Sequence, residues 1–333
     1  MIEKHIVLED IDPVIFYGVN NTNMQMIKAL YPKLRIVARG NVIKVMGDEE
    51  EMCAFEESII ALEKHCAKYN SLKEEIILDI VKGKTPQIEK TGDTIVFSVT
   101  GKPIVPRSEN QLKLVKEYEK NDMIFAIGPA GSGKTYTAIA LAVRSLKNKE
   151  IKKIILSRPA VEAGEKLGFL PGDMKDKIDP YLQPLYDALQ DMIPAAKLQK
   201  YLEDGTVQIA PLAYMRGRTL DNAFVILDEA QNTTRSQIKM FLTRMGRNAK
   251  FIVTGDVTQI DLPRKSDSGL MGAMATLRDI EGIGMVEFDK RDIVRHHLVK
   301  YIVEAFDKAA EQAMPHDAPV VRLRHKRDEG NDE

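Results

Sequence analysis

The stretch Gly128–Thr135, GPAGSGKT, fits the pattern G-x-x-x-x-G-K-[ST] at every fixed position. An apolar run, Met123–Ile127, precedes it, and a helix-favouring run, Tyr136–Leu146, follows it. A strand, a glycine loop and a helix in this order are the context in which the pattern binds phosphate. The backbone N–H groups of such a loop turn inward around an anion, and the helix N-terminus adds its dipole. The stretch therefore predicts a nucleoside triphosphate site.

All positions of this loop are candidate phosphate ligands. They are Gly128, Pro129, Ala130, Gly131, Ser132, Gly133, Lys134 and Thr135. We expect Lys134 to reach the β- and γ-phosphates and the hydroxyl of Thr135 to bind Mg²⁺, as in other loops of this kind.

A second motif follows another apolar run. Phe224–Gln231 reads FVILDEAQ, a strand that ends in two carboxylates. Asp228 is placed to hold Mg²⁺. Glu229 points elsewhere, because successive strand residues alternate, and is the candidate general base for the attacking water. A solvated acidic pair at a strand end is the alternative, and the phosphate loop in the same chain favours the metal site.

A third strand-end motif is Phe251–Gln259, FIVTGDVTQ. In an open parallel sheet, ligands bind outside the carboxyl ends of the strands. We therefore expect Thr254, Asp256 and Gln259 to face the same crevice as the phosphate loop. Gln259 is predicted to contact the γ-phosphate or its water, and an ordinary loop glutamine is the alternative.

From Gln111 onward, apolar runs alternate with helical segments. The runs are Met123–Ile127, Lys153–Leu156, Val207–Leu212, Ala223–Leu227, Phe251–Val253 and Met285–Phe288. Continuous apolar strands separated by helices predict a parallel sheet covered on both faces, and right-handed crossovers make it doubly wound. The predicted α/β domain spans residues 111–314. Residues 315–333 are charged and lack periodicity, so they predict a disordered tail.

The first 82 residues predict a separate small α+β domain. Its predicted elements are a helix over Asn21–Leu30, strands over Leu34–Ala38 and Val42–Met46, a helix from Asp48 to about Lys68, and a helix from Ser71 to about Val81. The order helix, strand, strand, helix resembles a KH-type RNA-binding unit, which clamps nucleotides with a GxxG loop. That loop is not found here, and a docking or oligomerisation domain stays open as the alternative. Residues 83–110 predict a linker with one strand, Thr94–Val99.

Composition narrows the class of protein. The chain has 333 residues, 44% of them hydrophobic and 29% charged, which allows a packed core. The net charge of −1 excludes a strongly basic nucleic-acid footprint for the chain as a whole. Cys53 and Cys66 lie in one predicted helix, too far apart along it to form a disulfide, so we expect both to be reduced thiols. The N-terminus lacks an apolar signal region, and no run is long enough to span a membrane, so we expect a cytoplasmic protein.

Three motifs together carry a family resemblance. GPAGSGKT, LDEAQN and VTGDVTQ resemble motifs I, II and III of superfamily 1 helicases. With RPAVEAGEKLGFLPGD, YMRGRTLDNAFVILDEAQN and RDIVRHHLVKYIV, they are similar to the PhoH-like family of ATPases over about Gln111–Phe306. The resemblance implies a RecA-like P-loop NTPase core that hydrolyses ATP with Mg²⁺, with RNA as the polymer acted upon.

The resemblance also assigns residues outside the strand ends. Gln111 is similar to the glutamine that reads adenine in those helicases, and its amide suits the N6 donor and N7 acceptor. The chain has no NKxD guanine motif, which favours ATP over GTP. A helix-cap glutamine is the alternative for Gln111. Arg158 and Lys166 lie where superfamily 1 proteins meet the nucleic-acid backbone, and solvated loop charges are the alternative.

Helicases of this kind place two cores in one chain, but only about 75 residues follow Gln259, fewer than a core needs. We therefore expect a neighbouring subunit to complete the site in a head-to-tail ring, a hexamer by resemblance. An arginine supplied in trans stabilises the transition state. The family motif favours Arg295 for this role. The other candidates are Arg291, Arg218 and Arg264.

Two functions follow from these expectations. The first is an RNA-dependent ATPase or helicase in RNA processing or ribosome maturation. The second is a nucleotide-switched binding module that presents a surface to a protein partner, such as an RNA-processing nuclease or a ribosome-assembly factor.

Overall fold

The protein is described by a computed structural model, which covers residues 2–9, 11–84, 92–159, 174–293 and Ile302. The chain divides after Ile293 into two units, and every element below belongs to the first. The predicted residues Lys166 and Arg295 and the predicted tail, 315–333, lie outside the described residues.

A six-stranded parallel sheet forms the centre of the larger part of the chain, in the order β11-β6-β10-β9-β7-β8. Its strands are β6 (Met123–Ile127), β7 (Lys153–Arg158), β8 (Val207–Pro211), β9 (Ala223–Leu227), β10 (Lys250–Gly255) and β11 (Ile283–Glu287). All residues of β6 and β9 are buried, because helices cover both faces of the sheet. The predicted fold, a doubly wound RecA-like P-loop core, is confirmed.

Two helical layers enclose the sheet. The helices are α5 (Glu109–Lys120), α6 (Lys134–Lys147), α7 (Met174–Met192), α8 (Ala195–Glu203), α9 (Arg235–Leu242) and α10 (Leu270–Leu277). Helices α5 to α8 pack with Ile124 and Ala126 of β6 in one core cluster. Helices α9 and α10 pack with Phe125 and its neighbours in a second cluster, on the opposite face. The period-2 alternation of strand side chains divides β6 between these clusters.

The N-terminal elements enclose a third core. They are β1 (Ile2–Val7), α1 (Pro13–Tyr17), α2 (Thr22–Leu30), β2 (Arg35–Arg39), β3 (Val42–Gly47), α3 (Glu49–Tyr69) and α4 (Glu74–Val81). The strands form an antiparallel sheet in the order β1-β3-β2. The predicted α+β unit is present, with β1 and α1 in addition to the predicted elements. The predicted start of α4 at Ser71 is wrong: Lys73 is the N-cap residue, and its side chain makes no capping hydrogen bond.

A short hairpin lies between these parts. β4 (Val96–Phe97) pairs antiparallel with β5 (Pro103–Ile104), so the stretch holds a second strand that the sequence did not predict. Asn70, at the end of α3, donates from Nδ2 to the carbonyls of Phe97, Ser98 and Met192 at 3.1, 3.2 and 3.3 Å. This side chain therefore joins α3 to the hairpin and to α7. The boundaries at residues 82 and 110 stay predictions.

Candidate nucleotide site

The phosphate loop connects β6 to α6, and at two of its glycines a side chain would also collide with a neighbouring residue. Gly128 has φ 154°, and a Cβ there would lie 2.3 Å from the carbonyl oxygen of Phe288. Gly133 has φ 78°, and a Cβ there would lie 2.6 Å from Nε2 of Gln111. L side chains rarely adopt these φ values, so the loop conformation depends on glycine.

Lys134 occupies the inside of the loop. Its Nζ donates to the carbonyl oxygens of Gly128 and Pro129 at 2.7 and 2.8 Å and lies 3.3 Å from Ser132 Oγ. Burial lowers the pKa of this ammonium, while the carboxylates of Asp256, Glu229 and Asp228 oppose the shift. All three hydrogen bonds are to the loop itself. A phosphate oxygen entering the loop would offer the ammonium a charged acceptor in place of neutral carbonyls.

Asp228 connects three strand ends. Its Oδ1 accepts from Thr135 Oγ1 at 2.6 Å and from Thr254 Oγ1 at 2.8 Å. Strands β6, β10 and β9 are adjacent in the sheet, and their carboxyl ends bring these residues together. Asp228 is buried, with 6% of its surface exposed. The structure thus places the predicted metal ligands Thr135 and Asp228 in direct contact.

This donor set fits Mg²⁺. A hydroxyl and a carboxylate are hard oxygen ligands, and Mg²⁺ sites in proteins commonly use one or two such groups together with waters and substrate phosphates. In the described parts of the chain, no group of three or more His, Cys, Asp or Glu side chains forms a metal cage. The residues therefore suit a metal that arrives with phosphate.

Glu229 follows Asp228 in an unusual backbone conformation. It has φ 54° and ψ 40°, a left-handed conformation that non-glycine residues rarely adopt and that clusters at functional sites. Its Oε1 lies 3.3 Å from Nη2 of Arg158, and its Oε2 accepts a hydrogen bond from Gln231 Nε2. Burial, followed by the charge of Asp228, raises the pKa of Glu229. A carboxyl with a raised pKa is better suited to accept a proton than an ordinary glutamate.

Gln231 links two motifs, a role the sequence did not predict. Its side chain is fully buried. Nε2 donates to Glu229 and, at 3.0 Å, to the backbone oxygen of Gln259, and Oε1 accepts from the backbone N–H of Asp256 at 2.9 Å. The available signal was the position of this amide, two residues after the candidate base. Gln231 thereby fixes the orientation of Glu229 relative to the loop after β10.

Asp256 holds the phosphate loop from the third strand end. Its Oδ2 accepts from the backbone N–H of Ala130 at 2.9 Å, and its Oδ1 accepts from Thr258 Oγ1 at 2.6 Å. The side chain of Gln259 is exposed, and the hydrogen bonds of this residue run through its backbone. Of the three predicted residues of this motif, Thr254 and Asp256 reach the site, and Gln259 lies at its edge.

The amide of Gln111 is bonded to the protein. Nε2 donates to the carbonyl of Ser132 at 2.9 Å, and Oε1 accepts from the backbone N–H of Arg107 at 2.8 Å. Its backbone N–H donates to Ser108 Oγ, which caps α5. The side chain thus supports the phosphate loop from outside. Contact with adenine stays a prediction.

Arg158 ends β7 beside the carboxylates. Its Nη1 donates to the carbonyl of Tyr181 at 2.8 Å, which fixes the guanidinium in place. The residue lines an open cleft of about 690 Å³ together with Thr135, Glu229 and Asp187 of α7. This volume falls within the range of small-molecule sites.

Two of the other predicted arginines are bonded to side chains of this chain. Arg218 donates to Gln208 Oε1 at 2.6 Å, and Arg291 is paired with Asp289. Arg264 is exposed.

The comparisons with known proteins agree with this geometry. The profile of the PhoH-like protein family matches residues 103–307, which is more than half of the chain. The chain belongs to the PhoH-like protein family. It is 51% identical over 280 residues to the PhoH-like protein of Bacillus subtilis, covering 83% of this chain and 88% of the relative. It is 45% identical over 310 residues to the PhoH-like protein of Mycobacterium tuberculosis H37Rv, covering 91% and 88%.

Solved structures resemble this PhoH-like protein more distantly. The UvsW helicase of bacteriophage T4 is 16% identical, with a TM-score of 0.37, covering 56% of this chain and 61% of that chain. A likeness at this level has no bearing on what the chain binds.

Within the described residues, no helix is both long and apolar enough to cross a membrane.

Proposed function

We propose that this PhoH-like protein is a cytoplasmic, Mg²⁺-dependent ATP hydrolase that works as a ring, a hexamer, and acts on RNA. One observation carries the hydrolase: Asp228 Oδ1 accepts hydrogen bonds from the hydroxyls of Thr135 and Thr254 where the strands end. Lys134 and Glu229 lie close enough to interact electrostatically with this carboxylate and with each other. Phosphoryl transfer needs a loop with a cation that holds the phosphates, a pair of residues that hold the metal, and a group that orients the nucleophile. All three are adjacent here.

Each residue has a separate task. Lys134 would transfer its hydrogen bonds from the loop carbonyls to the phosphates, and the loop N–H groups would bind the same oxygens. Thr135 and Asp228 would hold Mg²⁺, which neutralises phosphate charge when bound. Glu229 would orient the attacking water and take its proton. Catalysis would thus come mainly from positioning and from preorganised charge.

The ring is supported by the charge of the site, and the RNA by the family resemblance. Arg158 is bonded to the chain's own carboxylates, and Arg291 and Arg218 have partners of their own. An arginine from a neighbouring subunit would supply the remaining positive charge, and Arg295 stays our candidate. RNA enters through the family resemblance, and a nuclease or ribosome-assembly factor is a proposed protein partner.

The switch function has one observation of its own. Gln231 bonds both to Glu229 and to the backbone of Gln259, whose side chain is exposed. A change at the γ-phosphate would therefore reach an exposed loop. In that alternative, ATP would alter the loop and present it to a protein partner, and hydrolysis would reset it.

ATP hydrolysis measured across protein concentrations, with and without single-stranded RNA, tests the proposal. We expect a rate per subunit that rises with assembly and with RNA. Lys134→Ala should abolish it, whereas Lys113→Ala, an exposed lysine of α5, should leave it unchanged. Normal turnover by Lys134→Ala would refute the site. Partner affinity that depends on ATP, without stimulation by RNA, would support the switch instead.

The ring is tested by mixing variants. Arg295→Ala removes the arginine that a subunit would supply to its neighbour's site. Glu229→Gln removes the candidate base from the subunit's own site. If the arginine acts in trans, mixed assemblies contain some intact sites and should regain activity. Mixtures that assemble but stay inactive would contradict the shared site.

A further inference from the structure

A surface opposite the α6 side of the sheet carries an excess of positive charge. We call it the basic face and define it by residues 214–218 and 235–247. Its cationic side chains are Arg216, Arg218, Arg235, Lys239, Arg244 and Arg247. Between residues 212 and 249, Asp221 is the single carboxylate outside the nucleotide site. The whole chain has a net charge of −1, so this charge is local.

The backbone joins the two segments into one surface. The N–H of Leu220 donates to the carbonyl of Arg244 at 2.9 Å, and Nη1 of Arg244 donates to the carbonyl of Arg218 at 3.2 Å. Met215 and Phe241 are buried against the sheet. The cationic side chains therefore lie on a fixed scaffold, on the side that faces away from the core.

The described part of the protein does not neutralise the cations of this face. None of the six forms an ion pair with a carboxylate in the parts of the chain that the structure describes. Arg216, Lys239 and Arg247 are exposed, and no side-chain hydrogen bond holds them to another described residue. Like charges on one surface repel one another. A ligand with regularly spaced negative charges would relieve this repulsion.

An aromatic side chain lies on the same face. Tyr214 is 61% exposed, although the neighbouring Leu212 and Met215 are buried. Exposed aromatic rings beside basic side chains are typical of proteins that bind single-stranded nucleic acid, because the bases stack on the rings while the phosphates meet the cations. An acidic peptide would supply the charges but not a series of stacking bases.

We propose that the basic face binds the phosphate backbone of a single-stranded nucleic acid, with Tyr214 stacking on a base. This inference rests on the proposed function for the presence of a polymer but places its contact outside the nucleotide cleft. The helix α9 begins shortly after Gln231, so a polymer on this face lies on the element that follows the candidate base. RNA and DNA share the recognised chemistry, and the experiment distinguishes them.

Fluorescence anisotropy of the full chain with a labelled oligouridine 20-mer, and with the matching DNA strand, tests the inference. The triple variant Arg216→Gln, Lys239→Gln, Arg247→Gln removes three charges without breaking a hydrogen bond of the described chain. We expect its Kd to rise about tenfold or more and its slope of log K against log salt to fall by about 2. The control is Lys113→Gln, Lys116→Gln, Lys120→Gln, which removes equal charge from α5.

The second measurement is crosslinking. A 4-thiouridine 20-mer should crosslink to a peptide that contains Tyr214, and Tyr214→Ala should remove this crosslink. Equal affinities of the triple variant and its control, or no binding of either strand by the unmodified chain, would overturn the inference. A triple variant that loses assembly but keeps its affinity would also overturn it, because the face would then contact another copy of the chain.

ATP binding separates this inference from the hydrolase. If the triple variant loses the polymer but still binds and slowly hydrolyses ATP, the basic face is supported and the nucleotide site is intact. If the polymer binds through this face while the unmodified chain fails to bind ATP, the proposed hydrolase fails and the basic face stands.

Discussion

Nη2 of Arg158 lies 3.3 Å from Oε1 of Glu229, and its Nε lies 4.0 Å from Oδ2 of Asp228. The other oxygen of Glu229 accepts a hydrogen bond from Gln231. Both oxygens of the candidate base are thus engaged, one with a cation. Arg158 favours the ionised carboxylate, while burial favours the protonated form. The pair therefore sets the pH at which the base becomes able to accept a proton.

Arg158→Ala should move the acid limb of the pH profile for kcat/KM to higher pH. The cation lowers the pKa of Glu229, so its loss lets burial and Asp228 raise that pKa further. Glu229 must be ionised to act as a base, so activity would begin at higher pH. The measurement is ATP hydrolysis from pH 5 to about 9. Arg158→Lys retains the charge and should keep the limb near its original position. An unmoved limb in Arg158→Ala would show that Arg158 does not control the base.

Glu229→Gln should slow hydrolysis by about 10²- to 10⁴-fold, the usual contribution of a general base. ATP binding should persist or tighten, because the variant removes a negative charge close to Asp228 and to the phosphate loop. Single-turnover hydrolysis and equilibrium binding of labelled ATP measure the two effects separately. Glu119→Gln, an exposed position on α5, is the control. Hydrolysis at the original rate would place water activation on another residue.

Gln231→Ala should reduce the hydrolysis rate more than it reduces ATP affinity. The amide orients Glu229 and connects it to the backbone of Gln259 and Asp256, whereas the hydrogen bonds of Lys134 are to its own phosphate loop. Because the amide is buried and fully bonded, we also expect a loss of about 1–3 kcal/mol in the free energy of unfolding. Chemical denaturation and steady-state kinetics check these effects. A variant with unchanged kcat but weaker ATP binding would contradict this role.

The sequence predicted the sheet because buried strands are continuous apolar runs. Met123–Ile127 and Ala223–Leu227 were predicted with the bounds that the structure shows. β1 was missed because most of its residues are exposed, so its polar and apolar residues give no clear alternation. A hydrophobic pattern in the sequence reflects which side chains are buried. An exposed edge strand buries too few side chains to show such a pattern.

The site, like the fold, could be predicted only as far as local sequence patterns determine it. Motif spacing placed Thr135 and Asp228 together, since parallel strands end at one edge of the sheet. Motifs do not reveal which backbone groups an amide will meet. Gln111 was predicted to contact adenine, and this stays a prediction; the bonds of its amide to Ser132 and Arg107 were not foreseen. The connecting role of Gln231 was missed. These partners depend on loop conformations that no spacing encodes.

Lys147, at the end of α6, lies in a small cavity lined by α3 and α8. The cavity has a volume of about 20 Å³ and includes Asp12, Cys66 and Lys197. Among the described residues, Nζ of Lys147 has no hydrogen-bond partner. Burial, followed by the charge of Lys197, lowers its pKa from 10.5 to about 8. A buried charge without a partner destabilises the folded state wherever the amine is protonated.

Lys147→Met should therefore raise the free energy of unfolding at pH 7, by about 1–3 kcal/mol. Between pH 8 and 10.5 the unfolded chain holds a proton that the folded chain has released, so the original protein gains stability as pH rises. The advantage of the variant should shrink across this window. Burial raises the pKa of the Cys66 thiol to about 12, which lowers stability above pH 9 in both proteins. The charge of Lys147 lowers that pKa, so the thiol contributes to the difference above pH 9, and the range from pH 8 to 9 reports on Lys147 itself. Chemical denaturation at several pH values measures the difference. Lys152→Met, at an exposed position, is the control, and a constant difference from pH 7 to 10 would contradict the lowered pKa of Lys147.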